Sequence, residues 1–234
     1  MTPIAANLQA VIVRICDAAR AAGRDPASIR LLAVSKTHSA ETVRLAAACG
    51  QRAFGENYVQ EAVDKVTALQ TCDLEWHFIG PIQSNKTRLL AASFDWVHSV
   101  DRLKIAQRLS AQRPSDLPPL NVCIQVNVSG ETSKSGVTPH EIAPLVSAVS
   151  TLPGLALRGL MTIPEPTDNT VLQRERFASL RRMRDELIKA GYALDTLSMG
   201  MSDDLEAAIA EGATIVRVGS AIFGSRSARA AGSG

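Results

Sequence analysis

The sequence predicts an α/β chain closed into a single (β/α)8 TIM barrel, with an extra helix at its start. Three observations carry that expectation. Eight short β-branched or apolar runs recur along the chain, each is followed by a stretch with helical spacing, and 234 residues, nearly half of them hydrophobic, suit one such barrel.

The opening stretch, MTPIAANLQAVIVRICDAARAAG, spaces its apolar residues as on one helix face and predicts a leading helix over residues 1–23. It has neither the basic flank nor the small-residue cleavage site of a secretory leader, so the chain is expected in the cytoplasm. The predicted strands are RLLAVSK (30–36), RAFGE (52–56), EWHFIG (75–80), WVHSV (96–100), NVCIQVNV (121–128), LRGLMTI (157–163), TLSMG (196–200) and TIVRVG (214–219). Between them, stretches such as SAETVRLAAACG, ENYVQEAVDKVTAL, VDRLKIAQRLSAQ, TPHEIAPLVSAVSTL and LQRERFASLRRMRDELIKAG repeat apolar residues every three or four positions. They open on Ser, Asn, Asp or Thr and often finish at Gly, as capped helices do. Strand followed by helix eight times points to a parallel sheet, and the count favours closure over an open sheet. No repeat or composition shift marks a second domain. One domain is expected over residues 1–225, with a small, polar tail over residues 226–234 expected to be disordered.

Twenty-five basic residues against 23 acidic ones leave a formal charge of +2, without the basic footprint that binding a phosphate backbone requires. Nucleic acid is therefore not an expected partner. No run approaches the roughly 18 apolar residues of a membrane span. Cys16, Cys49, Cys72 and Cys123 lie far apart without a CxxC pair, which fits reduced thiols rather than a disulfide framework or a zinc site.

A barrel collects its chemistry where its strands end, because the βα loops converge around the mouth. Lys36 after the first strand, Glu56 and Asn57 after the second, His77 within the third and Arg217 near the end of the eighth are expected there. Alternation puts Lys36 on the face of Val34 and Leu32. If that face lines the barrel, apolar surroundings disfavour an ammonium and free the amine to form a Schiff base with a carbonyl. The alternative is a lysine whose stem runs along the rim and whose charge stays in water. At the far end, LSMGMSDDLEAAIAEG sets Ser202 as the N-cap of a helix with Asp203 and Asp204 in its first turn, and RVGSAIFG sets Gly219 and Ser220 before one further helical turn. Loops after the seventh and eighth strands are the usual phosphate site of a barrel, whereas two ordinary caps and a turn glycine are the plainer alternative. A Schiff-base lysine opposite a phosphate cradle suits pyridoxal 5′-phosphate, its aldehyde at Lys36 and its phosphate at Ser202, Gly219 and Ser220.

The motifs AVSKTH, FGENYVQEA, WHFIGPIQSNK, SGETSKSGV, GLMTIPEP, LSMGMSDDLEAAI and VRVGSAIFG, in this order and over almost the whole chain, resemble those of the pyridoxal phosphate homeostasis proteins. Pro81 with Ile82 is a conservative departure in the third motif. The resemblance implies a fold-type III barrel, like the N-terminal domain of alanine racemase, that binds pyridoxal phosphate without established turnover. It implies that Lys36 carries the Schiff base, that Ser202, Gly219 and Ser220 hold the phosphate, and that Arg217 faces the pyridine nitrogen. Asn57, His77 and Met199 would line the pocket. It also implies a role in intracellular vitamin B6 homeostasis, with pyridoxal phosphate-dependent apoenzymes as candidate recipients. Separately, the chain is expected to be a monomer.

Arg217 carries a chemical argument of its own. Alternation places Arg217 and Gly219 on one face and Val216 and Val218 on the other, so the guanidinium can reach into the barrel. A permanent cation beside the ring nitrogen disfavours its protonation and makes the ring a weaker electron sink. An arginine paired to a neighbouring carboxylate is the alternative. The rival function is an amino acid racemase or lyase of the same fold type. Two-base racemisation needs a base on each face of the cofactor, yet the only tyrosines are Tyr58 and Tyr192, and Tyr192 precedes strand seven. A cofactor-free aldolase using Lys36 is a second rival.

Other residues point less clearly. His77 and His98 fall on neighbouring strands without the carboxylates of a metal site. His38 and His140 begin helices and are expected on the surface. RRMRDE reads as the solvated face of a helix. Lys134 and Ser135 sit in a Gly-bearing loop that is either a lid or merely exposed, and Gln83, Asn85 and Lys86 pose the same choice.

Overall fold

The computed structural model describes residues 2–130 and 135–224. Eight parallel strands close into a barrel in chain order: β1 (Arg30–Val34), β2 (Ala53–Glu56), β3 (Glu75–Phe78), β4 (Trp96–Val100), β5 (Leu120–Gln125), β6 (Leu155–Met161), β7 (Thr196–Ser198) and β8 (Ile215–Val218). Each predicted strand is present. Closure is made by β8 beside β1, where Leu32 faces Arg217 and Ala33 faces Val218. The helices are α1 (Pro3–Ala21), α2 (Ala40–Ala48), α3 (Val59–Ala68), α4 (Thr87–Ser93), α5 (Leu103–Gln112), α6 (Pro139–Val149), α7 (Thr170–Lys189), α8 (Leu205–Ala210) and the single turn α9 (Ser220–Phe223).

The leading helix is real and has a seat. Thr2 caps it through a bond from the Ala5 N–H, and its buried stripe, Leu8, Val11, Ile15 and Ala19, packs into the main core. It lies against α8 and α9, with Arg14 gripping Glu206 by two bonds of 2.5 and 2.7 Å and the Asn7 amide donating to the Ile222 carbonyl. α1 thus supports the strand-eight end of the barrel, where the candidate site lies.

Alternation along the strands splits the core in two. Ala33, Phe54, Val97, Leu160 and Leu197 face outward into the large cluster shared with the helices. Leu32, Val34, Ala53, Ile79 and Ile215 form one small cluster inside the barrel, and Trp96, Cys123 and Met161 form another. Gly159 lets β6 and β7 meet, since a Cβ there would stand 1.8 Å from the Thr196 carbonyl oxygen.

Several ends differ from expectation. β1 stops at Val34 rather than residue 36: the Ser35 N–H still bonds the Gly55 carbonyl, but Thr37 adopts φ 69° and turns the chain away. β5 stops at Gln125 and continues only as a bridge between Val126 and Val137. The strand-like register of NVCIQVNV extends into that bridge, which explains the longer prediction. The four cysteines are all free thiols, and no described helix is long and apolar enough to cross a membrane. The expected disordered tail (226–234) and Lys134 lie outside the described residues.

Candidate cofactor-binding site

The carboxyl ends of the strands surround a cavity of about 280 Å³, near the small end for ligand sites. Lys36, Asn57, Ser202, Arg217, Gly219 and Ser220 all line it. Residues from β1, β2, β7 and β8 that are far apart in the chain therefore meet at one mouth. Val34, Ile79 and Ile163 supply apolar wall.

Lys36 is half-buried and sits just past the end of β1. Its neighbours in the chain are held from behind. Lys65 on α3 donates from Nζ to the Ser35 carbonyl, to Glu56 Oε1 and to Glu61 Oε1, each at 2.7 Å. Glu61 also accepts the Thr37 N–H at 2.6 Å, and the Ser35 hydroxyl donates to Glu56. Lys65 and Glu61 thus fix the peptide groups on either side of Lys36, and Glu56 anchors Lys65 and the Ser35 side chain. Glu56 is not at the mouth as expected: it points outward between β2 and α3, fully buried, with Oε2 unpartnered among the described residues. Burial raises its carboxyl pKa more than Lys65 and Ser35 lower it.

Arg217 is the floor of the cavity. It is 3% exposed and donates from one guanidinium nitrogen to the Ser198 carbonyl and hydroxyl, at 2.7 and 2.8 Å, and from another to the Thr162 carbonyl at 2.7 Å. All three acceptors are neutral oxygens, so the alternative of a directly paired carboxylate does not hold here. Burial pulls its pKa down to about 10, which leaves it a cation at neutral pH.

The loop after β7 departs from the expected cap. Ser202 lies in a turn, and the N-cap of α8 is Asp204, whose carboxylate accepts the Met201 N–H at 2.6 Å and so ties the loop to the helix start. Burial raises the Asp204 carboxyl. Gly200 takes φ 93° in this loop, and a Cβ there would stand 2.5 Å from that of Ala208, so the turn depends on glycine. Gly219 is the N-cap of α9 and packs against the Val34 carbonyl, which a Cβ would approach to 3.0 Å.

Two expected lining residues are elsewhere. Met199 faces outward into the helix-packed core because Ser198, its strand neighbour, faces inward. His77 does face inward but lies one layer beneath the cavity, fully buried, while Ile79 two residues later reaches the wall. His77 and His98 bond each other directly at 2.9 Å between ring nitrogens, a hydrogen bond rather than two ligands spread around an ion. His38 corrects the surface expectation: it lines the cavity, with its ring 5.0 Å from that of Phe223, and burial lowers its pKa. His140 is exposed as expected, while Tyr58 is 55% exposed.

The residues missed in the sequence are Lys65, Asp203 and Met201. Lys65 had a legible signal, since it falls between Ala62 and Leu69 on the buried stripe of α3, where a lysine needs a partner.

A closed parallel barrel that brings a lysine and an arginine to one mouth beside two glycine-bearing loops defines a barrel of the alanine racemase N-terminal type. The profile of the family described as alanine racemase, N-terminal domain, matches residues 7–227. A protein of Pseudomonas aeruginosa named pyridoxal phosphate homeostasis protein is 63% identical over 226 residues, 97% of each chain, and one of the same name from Escherichia coli K12 is 55% identical over 232 residues, 97% of this chain and 98% of that one. The chain belongs to the family of pyridoxal phosphate homeostasis proteins. The solved structure of PipY from Synechococcus elongatus PCC7942 with PLP bound is 38% identical with a TM-score of 0.82, covering 94% of this chain and all of that one. Alanine racemase from Corynebacterium glutamicum, 20% identical with a TM-score of 0.68, shares the fold, and the match covers 60% of its length.

Proposed function

We propose that this chain holds pyridoxal 5′-phosphate through Lys36 and serves intracellular homeostasis of that cofactor rather than sustained turnover. One observation carries the reading: Lys36 and Arg217 share a single cavity with Ser202, Gly219 and Ser220. The donor set fits the group. An amine for the aldehyde, two hydroxyls and a glycine backbone for the phosphate, and a permanent cation for the ring nitrogen lie around a space of suitable size. Asn57 adds a buried Oδ1 with no partner among the described residues, an acceptor ready for a ligand proton. PipY, which carries PLP in its solved structure, is built on the same fold.

Bound pyridoxal phosphate supplies an aldehyde that condenses reversibly with amines. The chain supplies the rest. Lys36 provides the amine, held by the Lys65 cluster behind it. Arg217 keeps a positive charge at the cavity floor, which disfavours a second positive charge beside it and restrains carbanion chemistry. Ser202 and the Gly219–Ser220 turn offer hydroxyls and backbone N–H groups to an anion. A ligand held at so exposed a mouth can exchange, which suits buffering or delivery to apoenzymes by a cytoplasmic monomer.

The test is a spectrum of purified protein loaded with pyridoxal phosphate, followed by borohydride reduction and peptide mapping. A reduced adduct on Lys36, and its loss in Lys36→Ala, are expected. An adduct on another lysine would overturn the assignment. Assays with amino acids are expected to show no sustained turnover, and steady racemisation would favour the enzyme reading, for which His38 and Asp203 in the cavity wall would be the candidate bases.

A further inference from the structure

The barrel interior contains a continuous line of hydrogen bonds running from Arg217 at the cavity floor to the opposite rim. Arg217 donates to Ser198 Oγ at 2.8 Å, Ser198 Oγ lies 2.8 Å from His98 Nδ1, His98 Nε2 lies 2.9 Å from His77 Nδ1, and His77 Nε2 lies 2.5 Å from Glu75 Oε1. Ser198, His77 and His98 are fully buried, whereas the Glu75 side chain is about a third exposed and also accepts from Arg30 at 2.5 Å. Trp96 stacks flat on His77, with ring centroids 5.3 Å apart and planes 9° from parallel, so the ring cannot turn freely.

With both rings neutral, the carboxylate end dictates where every proton lies. A guanidinium only donates and a carboxylate only accepts. His77 carries its proton on Nε2 and donates to Glu75, which leaves its Nδ1 bare to accept from His98. His98 therefore carries its proton on Nε2, and its bare Nδ1 accepts from the Ser198 hydroxyl, whose oxygen in turn accepts from Arg217. The reverse order would set a bare His77 nitrogen against the Glu75 carboxylate unless His77 were doubly protonated, and burial lowers the pKa of both rings, His98 well below the ordinary value.

We infer that Glu75, His77 and His98 are positioning residues that orient Arg217 through Ser198, by a one-way chain of hydrogen bonds that links the cavity floor to a carboxylate at the far rim of the barrel. Arg217 hydrogen-bonds only to neutral oxygens; the Asp204 carboxylate acts on it through space, and this chain adds a hydrogen-bonded link to a second carboxylate, Glu75. The part concerning the protein's own protons stands alone. The effect on a bound ring rests on the pyridoxal phosphate reading above.

The experiment has two arms. In ligand-free protein labelled with ¹⁵N-histidine, NMR at about pH 7 to 8 should show His77 and His98 both neutral with the proton on Nε2. A charged ring or an Nδ1–H form of either would overturn the chain. Glu75→Ala leaves His77 without its acceptor and should populate the other tautomer of His98, whereas Glu75→Gln keeps a carbonyl acceptor and should preserve the pattern. With pyridoxal phosphate loaded, the long-wavelength absorption maximum should shift in Glu75→Ala and stay in place in Glu75→Gln. Unchanged His98 tautomers in a folded Glu75→Ala would refute the relay. Failure of every variant and the parent to take up pyridoxal phosphate would refute the cofactor reading while leaving the NMR arm to decide the relay.

Discussion

Replacing Lys65 by methionine tests whether the charged cluster behind Lys36 is structural support. Lys65 Nζ lies 2.7 Å from Glu56 Oε1, and the side chains of Lys65 and Glu56 are 5% and 0% exposed. At that separation the attraction is about 6 kcal/mol for an effective dielectric of ~20, set against a desolvation cost of several kcal/mol for each ion. Removing the lysine cancels the attraction and leaves Glu56 buried with no counter-ion, a loss of about 3–5 kcal/mol. A domain held by about 5–15 kcal/mol would feel that strongly. The sign with pH follows from Glu56. Its folded pKa is already raised by burial and rises further without Lys65, so the folded variant binds a proton more readily than the unfolded chain. Stability is then lost as pH rises through that folded pKa, and the deficit should shrink as pH falls through it. Urea unfolding followed by circular dichroism, at neutral and mildly acidic pH, measures both effects. Adding Glu56→Gln to Lys65→Met should restore most of the loss. A loss under about 1 kcal/mol at neutral pH, or one that does not shrink on acidification, would refute the reasoning, since surface ion pairs are worth that little.

Three further outcomes follow from close contacts. Gly159→Ala should destabilise by at least about 1–3 kcal/mol in a thermal melt, because the new Cβ meets backbone 1.8 Å away at Thr196 and one of two strands must shift. Thr37→Gly should raise the melting temperature slightly: a threonine at φ 69° costs about 1–3 kcal/mol, which outweighs the ~1 kcal/mol of added chain entropy in the unfolded state. Arg217→Gln should lower stability by about 1–3 kcal/mol through the unmet Thr162 and Ser198 carbonyls, and should also weaken retention of pyridoxal phosphate on a desalting column.

The strands and their order were legible from the chain because their signal is local. A run such as WVHSV carries its own period and β-branched character, and the loops between runs are short enough that parallel neighbours must follow one another. The same local period put Lys36 and Arg217 on faces that meet at the barrel mouth, whereas Met199, expected in the lining from the motif resemblance alone, lies on the outward side of the wall, where alternation from the inward Ser198 puts it. Ser202 was placed at the mouth for the wrong reason: propensity favoured it as a helix cap, while the helix begins two residues later behind Asp204, which satisfies the loop instead.

Which strands and helices exist, and which face of each strand turns inward, is written in neighbouring residues, since a hydrophobic period acts on the chain locally. Tertiary structure alone decided that Lys65 would reach back to Ser35 and that His98 would meet Ser198, 100 positions away. Closing the barrel brings these groups within hydrogen-bond distance, and burial then forces each buried polar group to find a partner there; a stretch such as α3 can show that a partner is needed, but not which one it is.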